Sequence, residues 1–151
     1  MLKKILINIL LLFLVPGISY AYFVNVVKDT GLQLREGPGE DRQVVMEVAK
    51  IDPLEIAGQQ NDWYRVVHWS GREGWVKRSD VAASQTVVVK VKRRKVNFRR
   101  GPGTGYAEVA NLFQGSIIKV LERRRSWLKG ELIDPPTGEV GWIKNTLIWG
   151  L

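Results

Sequence analysis

Apolar positions along this chain fall into short runs and alternations, not helical stripes. Phe23 to Lys28 is rich in Val and predicts a strand, and Gly31 to Arg35 predicts a shorter second one. Val44 to Ala49 and the alternating Leu54-Glu55-Ile56 continue the series, with a turn over Gly58 to Asp62. Trp63 to His68 is a β-prone run. Ser70 to Glu73 turns the chain, and Gly74 to Lys77 predicts a last strand. Ser79-Asp80-Val81 fits one tight helical turn, and no segment sustains the period of an amphipathic helix.

The same succession then recurs. Thr86 to Lys92, Val96 to Arg99, Glu108 to Phe113 and Ile117 to Val120 predict strands in the order already met. Leu34-Arg35-Glu36-Gly37-Pro38-Gly39 and Phe98-Arg99-Arg100-Gly101-Pro102-Gly103 lie 64 positions apart, as do Trp63 and Trp127. Gly141-Trp142-Ile143-Lys144 repeats Gly74-Trp75-Val76-Lys77 at an offset of 67, so three residues have entered the hairpin at Ile133-Asp134-Pro135-Pro136-Thr137-Gly138. A register that holds, slips once at a Pro-rich turn and holds again marks a duplicated small domain. Gly-Pro-Gly is its framework turn, because Pro fixes φ and glycine accepts positive φ. The units are placed at residues 22–83 and 84–151. Ala82 to Gln85 is a short joint, so the units are expected to sit close. The apolar ending Leu147 to Leu151 is expected to pack on the other unit or to serve a partner.

The N-terminus reads differently. Lys3 and Lys4 precede an apolar run from Ile5 to Val15, Pro16-Gly17 breaks it, and Ser19-Tyr20-Ala21 has small residues at the positions a signal peptidase reads. Residues 1–21 are therefore expected to be a cleaved signal peptide, since a bilayer span needs about 20 apolar residues. No later stretch is apolar enough to span, so the mature chain is expected in the periplasm or secreted. It contains no cysteine. Each unit of roughly 65 residues must then fold on an apolar core without a disulfide, close to the lower size limit for doing so. The six Trp are expected to supply much of that burial.

Charge divides unevenly. Tyr22 to Ala83 carries 8 Lys/Arg and 10 Asp/Glu, whereas Ser84 to Leu151 carries 13 and 5. Nucleic acid is the usual partner of a basic half, and export argues against it. The anionic surfaces outside the inner membrane are wall polymers, lipid head groups and acidic proteins, with attraction that weakens in salt.

These residues together resemble the bacterial SH3 domain family. The resemblance rests on Leu34 to Gly39, Trp63-Tyr64-Arg65-Val66 and Gly71-Arg72-Glu73-Gly74-Trp75-Val76 in the first unit. In the second it rests on Val96 to Thr104, Trp127 and Gly138-Glu139-Val140-Gly141-Trp142-Ile143. It implies an all-β fold of two tandem small SH3-like β-barrels. It also implies non-catalytic binding in the cell envelope, to peptidoglycan or its stem peptides. An adaptor that docks on another envelope protein through the basic second unit is the alternative. The second unit departs from the first at Leu128-Lys129-Gly130, so it lacks any contact that Tyr64 provides.

Candidate chemistry is sparse. His68 is the only histidine, no cysteine exists, and no nucleophile pattern accompanies it, so neither catalysis nor a cofactor or metal is expected. Gly101 to Gly105 is not a phosphate loop: no Lys-Ser/Thr follows, and Pro102 cannot donate an N–H. Arg35 and Arg99, at the mouths of the turns, either pin the loop to backbone carbonyls or face a ligand carboxylate. The strongest binding candidates are the basic run Lys92, Arg93, Arg94 and Lys95 with Arg99 and Arg100. Tyr64 joins them, as does Trp69, which like Trp149 has no counterpart in the other unit. A solvated face that serves solubility is the plain alternative for the basic run.

Overall fold

The computed structural model describes residues 22–92 and 95–151. The expected signal peptide, residues 1–21, lies outside them. The first sheet contains β1 (Tyr22–Val26), β2 (Leu32–Arg35), β3 (Val44–Val48), β4 (Pro53–Gln60), β5 (Trp63–His68), β6 (Glu73–Lys77) and β7 (Val81–Ala83), with a 3-10 turn at Arg78–Asp80. The second contains β8 (Thr86–Val89), β9 (Val96–Arg99), β10 (Glu108–Leu112), β11 (Ile117–Arg124), β12 (Trp127–Asp134), β13 (Val140–Lys144) and β14 (Ile148–Trp149), with a 3-10 turn at Asn145–Leu147. The orders are β3-β2-β6-β5-β4-β1-β7 and β10-β9-β13-β12-β11-β8-β14, the same topology twice.

The sheets curve because they are bulged at matched places. Pairing slips between Ile56 and Gly58 in β4, and between Val120 and Glu122 in β11. A second slip sets Leu34 against Met46 and Arg35 against Val44, and its copy sets Phe98 against Ala110 and Arg99 against Glu108. Each extra residue bends its strand and adds twist, which lets a small sheet wrap its own core. Gly74 must be glycine for the same closure: a Cβ there would lie 2.7 Å from the Leu34 Cβ.

Each sheet encloses one aliphatic core. The first holds Val24, Val26, Leu34, Val48, Leu54, Val66 and Val76. The second is larger, with Phe98, Leu128, Leu132, Ile143 and Ile148 among its ten buried members. The copies fill their centres differently. Val66 is replaced by Gly130, where a Cβ would lie 2.2 Å from Ile118 Cγ2, so neighbouring bulk has taken the space. Of the six Trp expected to supply much of the burial, Trp142 is buried at 6% exposure, and none joins either central cluster. Strand alternation explains this: Gly74 and Val76 point inward, which leaves Trp75 on the other face.

Several boundaries differ from those the sequence predicts: β1 ends at Val26, and β11 continues to Arg124. β4 continues to Gln60, and only Asn61-Asp62 turn the chain, with Asn61 at φ 50. β12 runs on to Asp134, and β8 stops at Val89. Register also exposes a second slip between the copies. Val24 pairs with Leu54 and Val87 with Ile118, so β1 and β8 correspond at an offset of 63, not 64. One residue has therefore been added between β8 and β9.

The joint is ordered by direct contacts. All four residues of β8 are buried, although a barrel strand has only one inward face. The outward face is covered by the first unit. Asn25 Nδ2 donates to Thr86 Oγ1 at 2.6 Å, Thr86 Oγ1 donates to the Ile51 carbonyl at 2.9 Å, and the Gln85 N–H donates to Asn25 Oδ1 at 3.0 Å. Phe23 and Trp149 meet edge to face with centroids 4.9 Å apart. The apolar C-terminus thus packs on the other unit.

Candidate functional site

The two Gly-Pro-Gly turns are held in the same way. Arg35 Nη1 donates to the Arg42 carbonyl at 2.8 Å, and Arg99 Nη1 donates to the Tyr106 carbonyl at 2.8 Å. Of the two roles open to these arginines, each spends one guanidinium nitrogen on pinning its turn. In the second unit the Tyr106 ring also covers Gly101, where a Cβ would lie 2.4 Å from its Cδ1.

Beside the first turn lies an open cleft of about 940 Å³. The β1–β2 loop forms one wall, and the other is shared by β3, the Gly-Pro-Gly loop and the end of β6. Trp63, opposite Lys77 in the β5–β6 ladder, is half-buried, with Lys77 Nζ 5.9 Å from its ring centroid. Three ion pairs line the cleft: Lys28 with Asp80 at 2.9 Å, Lys50 with Asp29, and Lys77 with Glu40. The hydrogen bond and charge of Lys50 hold the Asp29 carboxyl below the ordinary range. Lys77 does the same for Glu40, and Glu40 in turn raises the Lys77 ammonium. Four cations and four carboxylates border this cleft, counting Arg35 and Glu47, so its net charge cancels while its local fields stay strong.

The predicted residues scatter around both units. Lys92 and Arg100 are exposed. Lys95 Nζ lies 3.8 Å from Glu108 Oε2. Arg93 and Arg94 lie outside the described residues. Tyr64 packs against the first core under the Arg78 guanidinium, 5.4 Å from the ring centroid, and lines a second shallow depression near Val24 and Ala83. Trp69 sits at the joint, where a methyl on Gly115 would lie 3.7 Å from its Cη2. Asp29, Glu40 and Asp80 escaped the sequence reading as cleft residues because three separate segments bring them together. The only signal was the acidic character of the first turn.

His68 is 5% exposed and replaces the core residue Leu132 of the second unit. Its Nδ1 lies 2.7 Å from Ser70 Oγ, and its Nε2 lies 3.6 Å from Asp52 Oδ2. The arrangement has the residue types of a hydrolytic triad. However, the Ser70 N–H also donates to Nδ1 at 3.2 Å, and Asp52 Oδ2 accepts the Ala49 N–H at 3.1 Å. Both contacts are local side-chain closures of turns. Among the described residues, no group of three His, Asp or Glu is placed to hold a metal ion, and no helix is long and apolar enough to cross a membrane.

Two small bulged antiparallel sheets of identical topology, each closed over an aliphatic core, define a tandem of SH3-like β domains. Residues 30–82 and 92–150 each match a bacterial SH3 domain family, so the chain carries two bacterial SH3 domains in tandem. It is 26% identical over 132 residues to the putative N-acetylmuramoyl-L-alanine amidase YrvJ of Bacillus subtilis (strain 168), which covers 82% of this chain and 25% of that protein. The chain thus spans about a quarter of the curated relative it matches. Among solved structures, it is similar to NlpC2 from Trichomonas vaginalis at 11% identity and TM-score 0.37, over 86% of this chain and 48% of that one. It is also similar to an NlpC/P60 family protein from Bacillus cereus ATCC 10987 at 10% identity and TM-score 0.39, over 84% and 55%.

Proposed function

We propose that the chain is an exported, non-catalytic binding protein of the cell envelope whose first domain holds peptidoglycan through its stem peptides. The observation that carries this reading is the cleft beside the first Gly-Pro-Gly turn. Its lining alternates ammonium and carboxylate groups over a half-buried indole. Such a surface complements a short peptide that itself carries amino and carboxyl groups, because each ligand charge can exchange for one partner of an existing pair. A net-neutral cleft gives selectivity by placement of charge, not by bulk attraction. The amidase relative supports a place at the wall, and hence outside the cytoplasm.

Sedimentation with isolated sacculi over a salt series tests the reading. The purified protein is expected in the pellet at low and moderate salt. The double variant Lys77→Ser, Lys50→Ser is expected to need roughly thirtyfold more sacculi for half-binding, since each lost polar contact costs on the order of 1 kcal/mol. Absence from the pellet at low salt would overturn wall binding, and release of soluble fragments from sacculi by the pure protein would overturn the non-catalytic assignment.

A further inference from the structure

Duplication gives the two domains the same framework with different charges. Around the first cleft the framework residues are Arg35, Trp63 and Lys77, and their copies are Arg99, Trp127 and Lys144. The carboxylates are not copied. Glu40 becomes Thr104, Glu47 becomes Asn111 and Asp80 becomes Leu147. The loop Val27-Lys28-Asp29-Thr30-Gly31 becomes Lys90-Val91-Lys92-Arg93-Arg94-Lys95, one residue longer, with five cations and no acid. Where the first cleft cancels its own charge, the copied framework carries Arg99 and Lys144, and the loop beside it presents the exposed Lys90, Lys92 and Lys95. Glu108, at 3.8 Å from Lys95, is the one carboxylate paired to this face among the described residues.

Like charges gathered on one framework without matching carboxylates repel one another, so a polyanion that replaces their counterions is drawn to them. The aromatic lining has grown at the same time. Trp127 keeps the half-buried place of Trp63, and Ala49 becomes Phe113, which is 55% exposed. We propose that this face of the second domain binds an anionic glycan polymer, one whose sugars carry phosphate or carboxylate groups. The cations meet the charges, and the two aromatic rings offer flat apolar faces to the C–H faces of the sugars. A membrane fits less well, because Trp127 is half-buried and of this domain's rings only Phe113 and Tyr106 are strongly exposed. This site is separate from the cleft of the first domain, and it stands whether or not that cleft holds wall peptide.

Titrations of the purified protein with polygalacturonate and with phosphorylated dextran test the proposal, with neutral dextran as control. Both charged glycans are expected to bind, more weakly as salt rises, and neutral dextran is not. Lys92→Ser with Lys144→Ser is expected to raise Kd roughly tenfold, and Phe113→Ala several-fold. Lys119→Ser with Arg123→Ser removes equal charge from the exposed β11 surface and is expected to change Kd less than about twofold. Equal losses in the two charge variants would reduce the effect to net charge and overturn the site. So would tighter binding to polyglutamate or to vesicles rich in anionic lipid than to either glycan. Lys77→Ser, which disturbs only the first cleft, is expected to leave these titrations unchanged.

Discussion

Gly130 and Val66 occupy equivalent places in two barrels that share a topology, yet only one place has room for a side chain. Ile118 already fills the space at Gly130. Gly130→Val is therefore expected to overpack the second core and cost about 1–3 kcal/mol in denaturant unfolding. No loss of stability would show that the cavity yields. Arg125 is the opposite case. It holds φ 51 at the β11–β12 turn, a conformation that Asn tolerates and that Asn61 holds in the first unit. Arg125→Asn is expected to stabilise the protein by about 0.5–1 kcal/mol, which a melting curve would register as a rise of a few degrees. Glu40 makes a pH-dependent prediction. Its hydrogen bond from Lys77 lowers its folded-state pKa. The pair's small contribution is present above the ordinary glutamate value and is lost as pH falls through the lowered one. A carboxyl NMR titration should place Glu40 below ordinary glutamate, and Lys77→Ser should raise it toward that value, with the charges of Arg35 and Lys28 still lowering it. A midpoint unmoved by that substitution would remove the pair from the account.

At the scale of elements, the strands were legible because alternation and Gly-Pro turns are local signals. The repeated Arg-x-Gly-Pro-Gly segment could be aligned by eye, and its pinning bond spans only seven residues in each copy. Arg99→Ala is expected to loosen its turn and to cost about 1 kcal/mol. Faster amide exchange at Arg100, whose N–H donates to the Ala107 carbonyl, would report it, and unchanged exchange would contradict it. What was not legible depends on pairing. β1 and β8 are both Val-rich and carry no turn signal of their own, so only the ladder to β4 and β11 fixes their offset at 63. The residue added to the basic loop was hidden for that reason. The first cleft was hidden because Asp29, Glu40, Glu47 and Asp80 come from segments up to 51 positions apart in the chain. The Trp residues carried less of the central cores than expected because alternation turns Trp75 outward, and only its copy Trp142 is buried.

The whole molecule joins two barrels of unequal cores. Among the described residues, the central cluster of the first holds seven buried apolar residues and that of the second ten, and each such side chain contributes about 1.5–3 kcal/mol. Hydrogen exchange should therefore find the first domain opening at lower free energy, with protection at the Asn25–Thr86 joint following the first domain. The two domains also present different chemistry from one framework: a self-paired cleft beside Trp63 and an unbalanced cationic face beside Trp127. Indole N–H signals of Trp63 and Trp127, assigned by Trp→Phe substitution, report this division of labour during titration with a soluble stem-peptide fragment and then with a charged glycan. The peptide is expected to move the Trp63 signal and the glycan the Trp127 signal. Movement of both by either ligand, or of neither by both, would contradict it.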